Sequence, residues 1–241
     1  MEKNAFDLEL EITEIHWWFV VRRKLLTFLL SSVNPVPKGL VLDIGCGVGS
    51  NLPILESHGL NALGLDGSLY ALNLASRRFK IALINGDLNQ LPIRPGSIGL
   101  IIATDVLEHL ENDSKGIGQM YQALMEGGVL ILTVPAFGFL WGTQDIVTGH
   151  RRRYYRQEVL DKLRQQGFET LRSSYFNFFL FLPILIGRLL IRVLRLNIES
   201  ENRINSPLLN LLLKEIFSLE PYLLKYISFP LGVSIFCIAR K

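Results

Sequence analysis

Three glycines at alternate positions, Gly45, Gly47 and Gly49, follow the apolar run Leu40 to Ile44 and precede a stretch that reads as a helix. Glycines at a strand-to-helix turn let a backbone approach a ligand closely and take conformations other residues resist. Asp66 ends the next apolar run, 21 positions after Gly45. A carboxylate there can accept both hydroxyls of a ribose. Together these residues point to a nucleoside site. A second set could move protons. His150 lies between Gly149 and an arginine run and has an ordinary pKa suited to taking a proton near neutrality, with Asp145 as a carboxylate able to orient it. His109, beside Glu108, is the alternative base, and His150 suits a simple pairing role within its arginine-rich loop equally well. No metal site is expected.

These residues need elements to hold them. Short apolar strands are expected at Leu40–Ile44, Ala62–Leu65, Ile81–Ile84, Ile98–Ala103, Val129–Val134, Phe168–Ser174 and Gly232–Ala239. Helices are expected between them at 12–30, 50–58, 68–79, 113–125 and 156–166. Almost wholly apolar strands alternating with helices imply a mostly parallel sheet covered on both faces.

The spacing Asp43-Ile44-Gly45-Cys46-Gly47-Val48-Gly49 places the acid on the strand itself, unlike a dinucleotide fingerprint. With Asn85-Gly86-Asp87-Leu88 and Asp105-Val106-Leu107-Glu108-His109-Leu110, this resembles the class I S-adenosylmethionine-dependent methyltransferases, closely so over 40–134. The resemblance implies an α/β Rossmann-like fold with a seven-stranded, mostly parallel sheet, and S-adenosylmethionine as cofactor. The loop Gly45, Cys46, Gly47 and Gly49 would face the methionine part, with Asp43 organising the loop or reaching the amino group. Asp66, followed by Gly67, would hold the ribose. Asp87 would accept from the adenine amino group, Leu88 would flank the ring, and Asp105 would line the methionine end. His16, Trp17, Trp18 and Arg22 near the start, with Arg152 and Tyr154 after His150, resemble a bacterial subgroup of methyltransferase types 11 and 12. There they would act as lid or substrate residues.

Three regions are expected: a helical lid over 1–38, the methyltransferase body over 39–175 plus 231–241, and a hydrophobic insertion over 176–230. The insertion is apolar enough to stand out. Ser173 to Gly187 carries no charge and includes Phe176, Phe178, Phe179 and Phe181, yet is too short to span a bilayer and is interrupted by Pro183. Arg188, Arg192 and Arg195 fall along one face of a following helix. A cap over a hydrophobic substrate, a membrane-surface helix with snorkelling arginines and a dimer interface all fit this pattern. From Ser173 onward eight Lys/Arg oppose four Glu, so the basic excess lies where the chain is greasiest, which favours a membrane surface over nucleic acid. Two distant cysteines, Cys46 and Cys237, and the lack of a basic start leading into a short apolar core indicate a reducing, cytoplasmic setting, with contact at the inner membrane face. The expected activity is methyl transfer to O or N of a small-molecule, glycan or lipid-linked acceptor. An RNA or protein methyltransferase, an inert cofactor-binding module and a nicotinamide oxidoreductase are the alternatives.

Overall fold

The computed structural model describes residues 3–33, 35–195 and 206–241. In chain order the strands are β1 (Leu40–Ile44), β2 (Ala62–Asp66), β3 (Ala82–Asn85), β4 (Ile98–Thr104), β5 (Leu124–Pro135), β6 (Glu169–Phe176) and β7 (Ser234–Arg240). They form one sheet in the order β3-β2-β1-β4-β5-β7-β6. All neighbours are parallel except β7, which runs antiparallel to both β5 and β6. Every residue of β4 is buried, as a central strand covered on both faces requires. The order reverses between β1 and β4, and right-handed crossovers on either side of that point put helices on both faces. A crevice at the carboxyl ends of β1 and β4 follows from this topology.

The helices are α1 (Lys3–Ile12), α2 (Trp17–Ser32), α3 (Leu52–Ser57), α4 (Leu69–Ser76), α5 (Asp113–Ala123), α6 (Thr143–Thr148), α7 (Arg156–Gln165), α8 (Phe181–Val193), α9 (Pro207–Ser218) and α10 (Glu220–Leu223). The start of the chain differs from the single helix over 12–30 that its sequence suggests. The His16 N–H donates to Ile12 O, and His16 Nδ1 accepts from Trp18 N (3.3 Å) as an N-cap, so the chain turns and starts a second helix. The preceding residues form α1, whose Phe6 and Leu10 pack on Val48, Ala71 and Leu74. That contact lays α1 beside the glycine loop. Strand β5 also starts five residues earlier than expected, because Leu124 pairs with Ile98 before a bend at Gly127.

The 176–230 segment, of which 196–205 lie outside the described residues, folds back on α2. Trp18 stacks on Phe176 and Phe217 at 6.2 and 5.8 Å between ring centroids, and Trp17 meets Phe217 edge-on. Trp17 N donates to Asn210 Oδ1 (2.8 Å). The buried Glu220 carboxylate accepts from Asn177 N and Phe179 N (2.6 and 3.1 Å), closing the start of the segment onto its end. Burial pushes this carboxyl up to about 7, against the lowering effect of those bonds. Arg188 and Arg192 do not snorkel. Arg188 donates to Leu140 O and approaches Asp145 (3.7 Å), while Arg192 Nη2 donates to Trp141 O (3.0 Å). The face of α8 left outside is apolar, with Leu182, Ile186, Leu190 and Val193 exposed. No helix among the described residues is long and apolar enough to cross a membrane.

Phe217 is fully buried at the centre of this aromatic stack. Phe217→Ala is expected to lower unfolding free energy by about 3–5 kcal/mol in a denaturant titration. A loss under about 1 kcal/mol would show that α9 is not anchored through this ring.

Candidate active site

Gly45 has φ +68°, and a Cβ there would fall 2.5 Å from Val106 Cγ2, so both the turn and the packing demand glycine. Gly47 has φ +52°, and a Cβ there would stand in van der Waals contact with the Glu9 carboxylate and Phe6 of α1 at 4.0 Å. Asp66 is pinned at the end of β2. Its Oδ2 accepts from Gly47 N (2.9 Å) and its Oδ1 from Ser68 N (2.8 Å), which leaves further lone pairs on each oxygen for ligand hydroxyls.

A polar network crosses the crevice floor. Asn51 Nδ2 donates to Asp43 Oδ1 (3.1 Å) and to Thr104 Oγ1 (3.0 Å). Arg22, reaching in from α2, donates to the same Thr104 oxygen (2.8 Å) and pairs with Asp105 Oδ2 at 3.1 Å. Thr133 Oγ1 donates to Asp105 Oδ1 (3.2 Å). Asp105 itself holds φ +57°, a strained backbone that its two anchors over-determine. Asp43 is wholly buried, and its Oδ2 has no hydrogen-bond partner among the described residues. Burial pushes its carboxyl up to about 7, offset only in part by Asn51 and the charge of Arg22.

Beyond the ends of β4 and β5 lies a second cluster. His150 Nδ1 is 2.8 Å from Asp145 Oδ1, and its Nε2 is 3.7 Å from Glu108 Oε1. An ionised carboxylate only accepts, so Nδ1 carries the hydrogen and Nε2 keeps the lone pair of the neutral ring. The His109 ring meets His150 edge-on at 4.9 Å. Asp145 also accepts from Gly142 N (2.7 Å) and Arg153 Nε (2.8 Å). Burial opposes its ionisation, but the His150 and Arg153 interactions outweigh that and hold the carboxyl well below the usual range. Burial, reinforced by the nearby Asp105 charge, pushes Glu108 well up. Burial and the neighbouring His150 lower His109 to about 4.

Residues 42–132 match the family model described as methyltransferase domain. The chain is 27% identical over 167 residues to the tRNA U34 carboxymethyltransferase of Psychromonas ingrahamii, covering 62% of this chain and 50% of that protein. It is 29% identical over 159 residues to the sterol 24-C-methyltransferase of Schizosaccharomyces pombe, covering 58% and 40%. The fold is that of an S-adenosylmethionine-dependent methyltransferase from Archaeoglobus fulgidus, with a TM-score of 0.57 at 16% identity over 91% of this chain and 94% of that one. Residues 42–132 of this chain are thus a methyltransferase domain, and the surrounding fold is that of the class I S-adenosylmethionine-dependent enzymes. The cofactor of the family is S-adenosylmethionine. The chain spans about half the length of the curated relatives it matches, from 42% to 64% in three of them. Relatives that include a tRNA-modifying enzyme remove the ground for expecting no nucleic-acid partner from family alone.

In this methyltransferase the sequence-predicted residues separate into two groups. Asp43, Gly45, Gly47, Gly49, Asp66, Gly67 and Asp105 gather at the carboxyl ends of β1, β2 and β4, and Arg22 joins them. The exposed Asp87 caps the 3₁₀ turn 88–90 through Asn89 N (2.8 Å) after β3. Leu88 is buried and packs toward α5, and the Cys46 thiol is buried against the position of Gly64. His150 pairs with Asp145, and the His109 ring lies against His150. Five others, expected as lid or substrate residues, make contacts within the fold. His16 is a buried cap, lowered by burial to about 4. Trp17 and Trp18 hold α9. Arg152 donates to Leu110 O (2.9 Å) and Glu111 O (2.8 Å), and Tyr154 is fully buried with its hydroxyl donating to Asp113 Oδ2 (2.9 Å).

Glu9 is a site residue that the sequence does not single out, whereas Glu108 is legible there only as part of the Asp105–Leu110 motif. Glu9 accepts from Ser50 Oγ (3.0 Å) at the glycine loop, and burial raises its carboxyl. Its only sequence signal is the amphipathic spacing of α1. The cofactor carries a cationic sulfonium and an ammonium. The unpartnered Asp43 oxygen, the Glu9 carboxylate beside Gly47 and the anchored Asp66 fit such a group.

Because folded Asp43 keeps its proton up to about pH 7 while an unfolded aspartate loses it near 4, the folded state holds more protons across that window. Stability therefore falls as pH rises from about 4 to about 7, by at most about 1.4 kcal/mol per pH unit from this group. Asp43→Asn should flatten the slope of melting temperature against pH in that interval. An unchanged slope would place the titration elsewhere.

Proposed function

We propose that this methyltransferase moves a methyl group onto an oxygen or nitrogen of a small-molecule, glycan or lipid-linked acceptor. The observation that carries the reading is the His150–Asp145 pair, fixed at 2.8 Å beyond the same sheet edge as the glycine loop and Asp66. Bound S-adenosylmethionine supplies an electrophilic methyl carbon on a sulfonium. Asp66 would hold the ribose, and the Gly45–Gly49 backbone would lie against the methionine part. Asp43 and Glu9 would offer acceptor oxygens to the cationic end. His150 Nε2 would take the proton that the acceptor gives up as it receives the methyl group. Asp145 keeps the ring in the tautomer that can accept it. Alignment and exclusion of water do most of the remaining work in such a displacement.

We read residues 1–38 as the lid, since Glu9 and Arg22 both enter the crevice from it. The 176–230 segment is a cap in this reading, and its exposed apolar face also touches a membrane. Arg188 links that cap to Asp145, so acceptor entry and the base are mechanically joined. Arg151, Arg152 and Arg153 are paired with Glu111, Asp113 and Asp145, which favours a small acceptor over a polyanion.

Asp66→Ala should weaken cofactor binding by about 1–3 kcal/mol in isothermal titration. His150→Ala should slow labelled methyl transfer into fractionated extracts about 100-fold or more with cofactor affinity unchanged. Normal transfer in that variant would remove His150 from the reaction. For the membrane face, replacing Ile186 and Leu190 by Gln should reduce co-sedimentation with liposomes, whereas equal sedimentation of variant and wild type would sink that assignment.

A further inference from the structure

Glu108 is the least satisfied charge-bearing group in the crevice. Its side chain is wholly buried, and neither carboxylate oxygen has a hydrogen-bond partner among the described residues. Leaving a buried carboxylate unpartnered is costly, and such groups call for a counter-charge. Two imidazoles face it. One ligand atom from each of Glu108, His109 and His150 lies within 4.8 Å of the others, and the Glu108–His150 pair is at 3.7 Å. A cation about 2.0–2.2 Å from each donor needs donors no more than about 4.4 Å apart, so the set closes with side-chain movements of under about an ångström.

We propose that Glu108, His109 and His150 hold a divalent first-row cation at the acceptor end of the crevice. The surroundings are arranged as a metal site requires. An imidazole ligand is held by a hydrogen bond from its other nitrogen, most often to a carboxylate or a backbone carbonyl. His150 Nδ1 bonds Asp145 at 2.8 Å. Asp145 is in turn fixed by Gly142 N, Arg153 and Arg188, so the ring of His150 has one orientation, with Nε2 toward Glu108. Two nitrogens with one carboxylate suit zinc, manganese, iron or cobalt better than magnesium or calcium, which prefer oxygen throughout.

For its chemistry this inference rests on the methyl-transfer reading, and it narrows the part played by His150. With the cation in place the Nε2 lone pair is engaged, so the acceptor proton leaves to water because a Lewis acid has made the acceptor hydroxyl acidic. The acceptor class becomes a hydroxyl-bearing molecule that can present oxygen to a cation.

The test uses untagged full-length protein stripped with a chelator, then titrated with Co²⁺ and followed by visible absorption and equilibrium dialysis. One Co²⁺ per chain is expected, with Zn²⁺ displacing it and Mg²⁺ at the same concentration failing to. Glu108→Gln and His150→Gln should each weaken Co²⁺ binding at least 10-fold, and Asp145→Asn about 10–100-fold through the lost orienting bond. Thermal melting guards against misfolded variants: Mn²⁺ should raise the melting temperature of wild type and leave that of Glu108→Gln unmoved, and His109→Gln serves if another variant fails to fold. Absence of stoichiometric Co²⁺ binding, or binding unaltered in folded Glu108→Gln and His150→Gln, overturns the site. The chelated protein should still bind S-adenosylmethionine in titration calorimetry. Joint loss of cofactor and cation binding would overturn the placement at the acceptor end. Failure of the methyl-transfer reading has a separate signature, Co²⁺ bound with the expected variant effects but no cofactor bound under any condition.

Discussion

The buried carboxylate of Asp145 is the joint on which the cluster beyond the ends of β4 and β5 depends. It draws donors from Gly142 at the start of its own helix, from His150 and Arg153 on the following loop, and from Arg188 on α8. Three stretches of chain, the start of α6, the 150–153 loop and α8, are thereby held around one negative charge. In a low-dielectric surrounding each of these interactions is stronger than at the surface, and losing one exposes the cost of the rest. The orientation of His150 is a consequence of this arrangement and not of the imidazole itself.

The cofactor side is built on a different constraint, the geometry of a parallel sheet that changes direction between β1 and β4. Gly45 and Gly47 turn the chain at that point, and Asp66 on the neighbouring strand locks the turn by accepting from the Gly47 backbone. Arg22 then ties α2 to the crevice floor through Thr104 and Asp105. The strained backbone at Asp105 is tolerated because Arg22 and Thr133 hold both of its carboxylate oxygens. Lid, loop and strand end are therefore one hydrogen-bonded unit.

Much of the cofactor side is legible in the order of residues alone. The central strands β1 and β4 are short apolar runs whose burial is nearly complete, and the Asp43-x-Gly-x-Gly-x-Gly spacing is local, so its meaning does not depend on distant residues. Legibility fails where meaning comes from long-range partners. Trp17, Trp18 and Tyr154 look like pocket aromatics, because an aromatic residue in sequence does not reveal whether Phe217 or Asp113 lies against it. Arg188 and Arg192 carry helical spacing that suits snorkelling, yet carbonyls 48 and 51 positions away turn them inward. Helix α1 is hard to see because its polar composition conceals a narrow apolar stripe that only Val48 and Ala71 explain.

The sequence by itself determined a fold class, a nucleoside-binding loop with its partner acid, and a kind of chemistry, since these follow from residue type at short, fixed separations. Tertiary structure decided which groups share space. It brought Glu9 to the glycine loop, set Glu108 unpartnered beside two imidazoles, and tied the greasy segment to Asp145. The reason is physical: burial, and with it the strength of a charge or hydrogen bond, is a property of what surrounds an atom, and the chain's order along itself does not contain it.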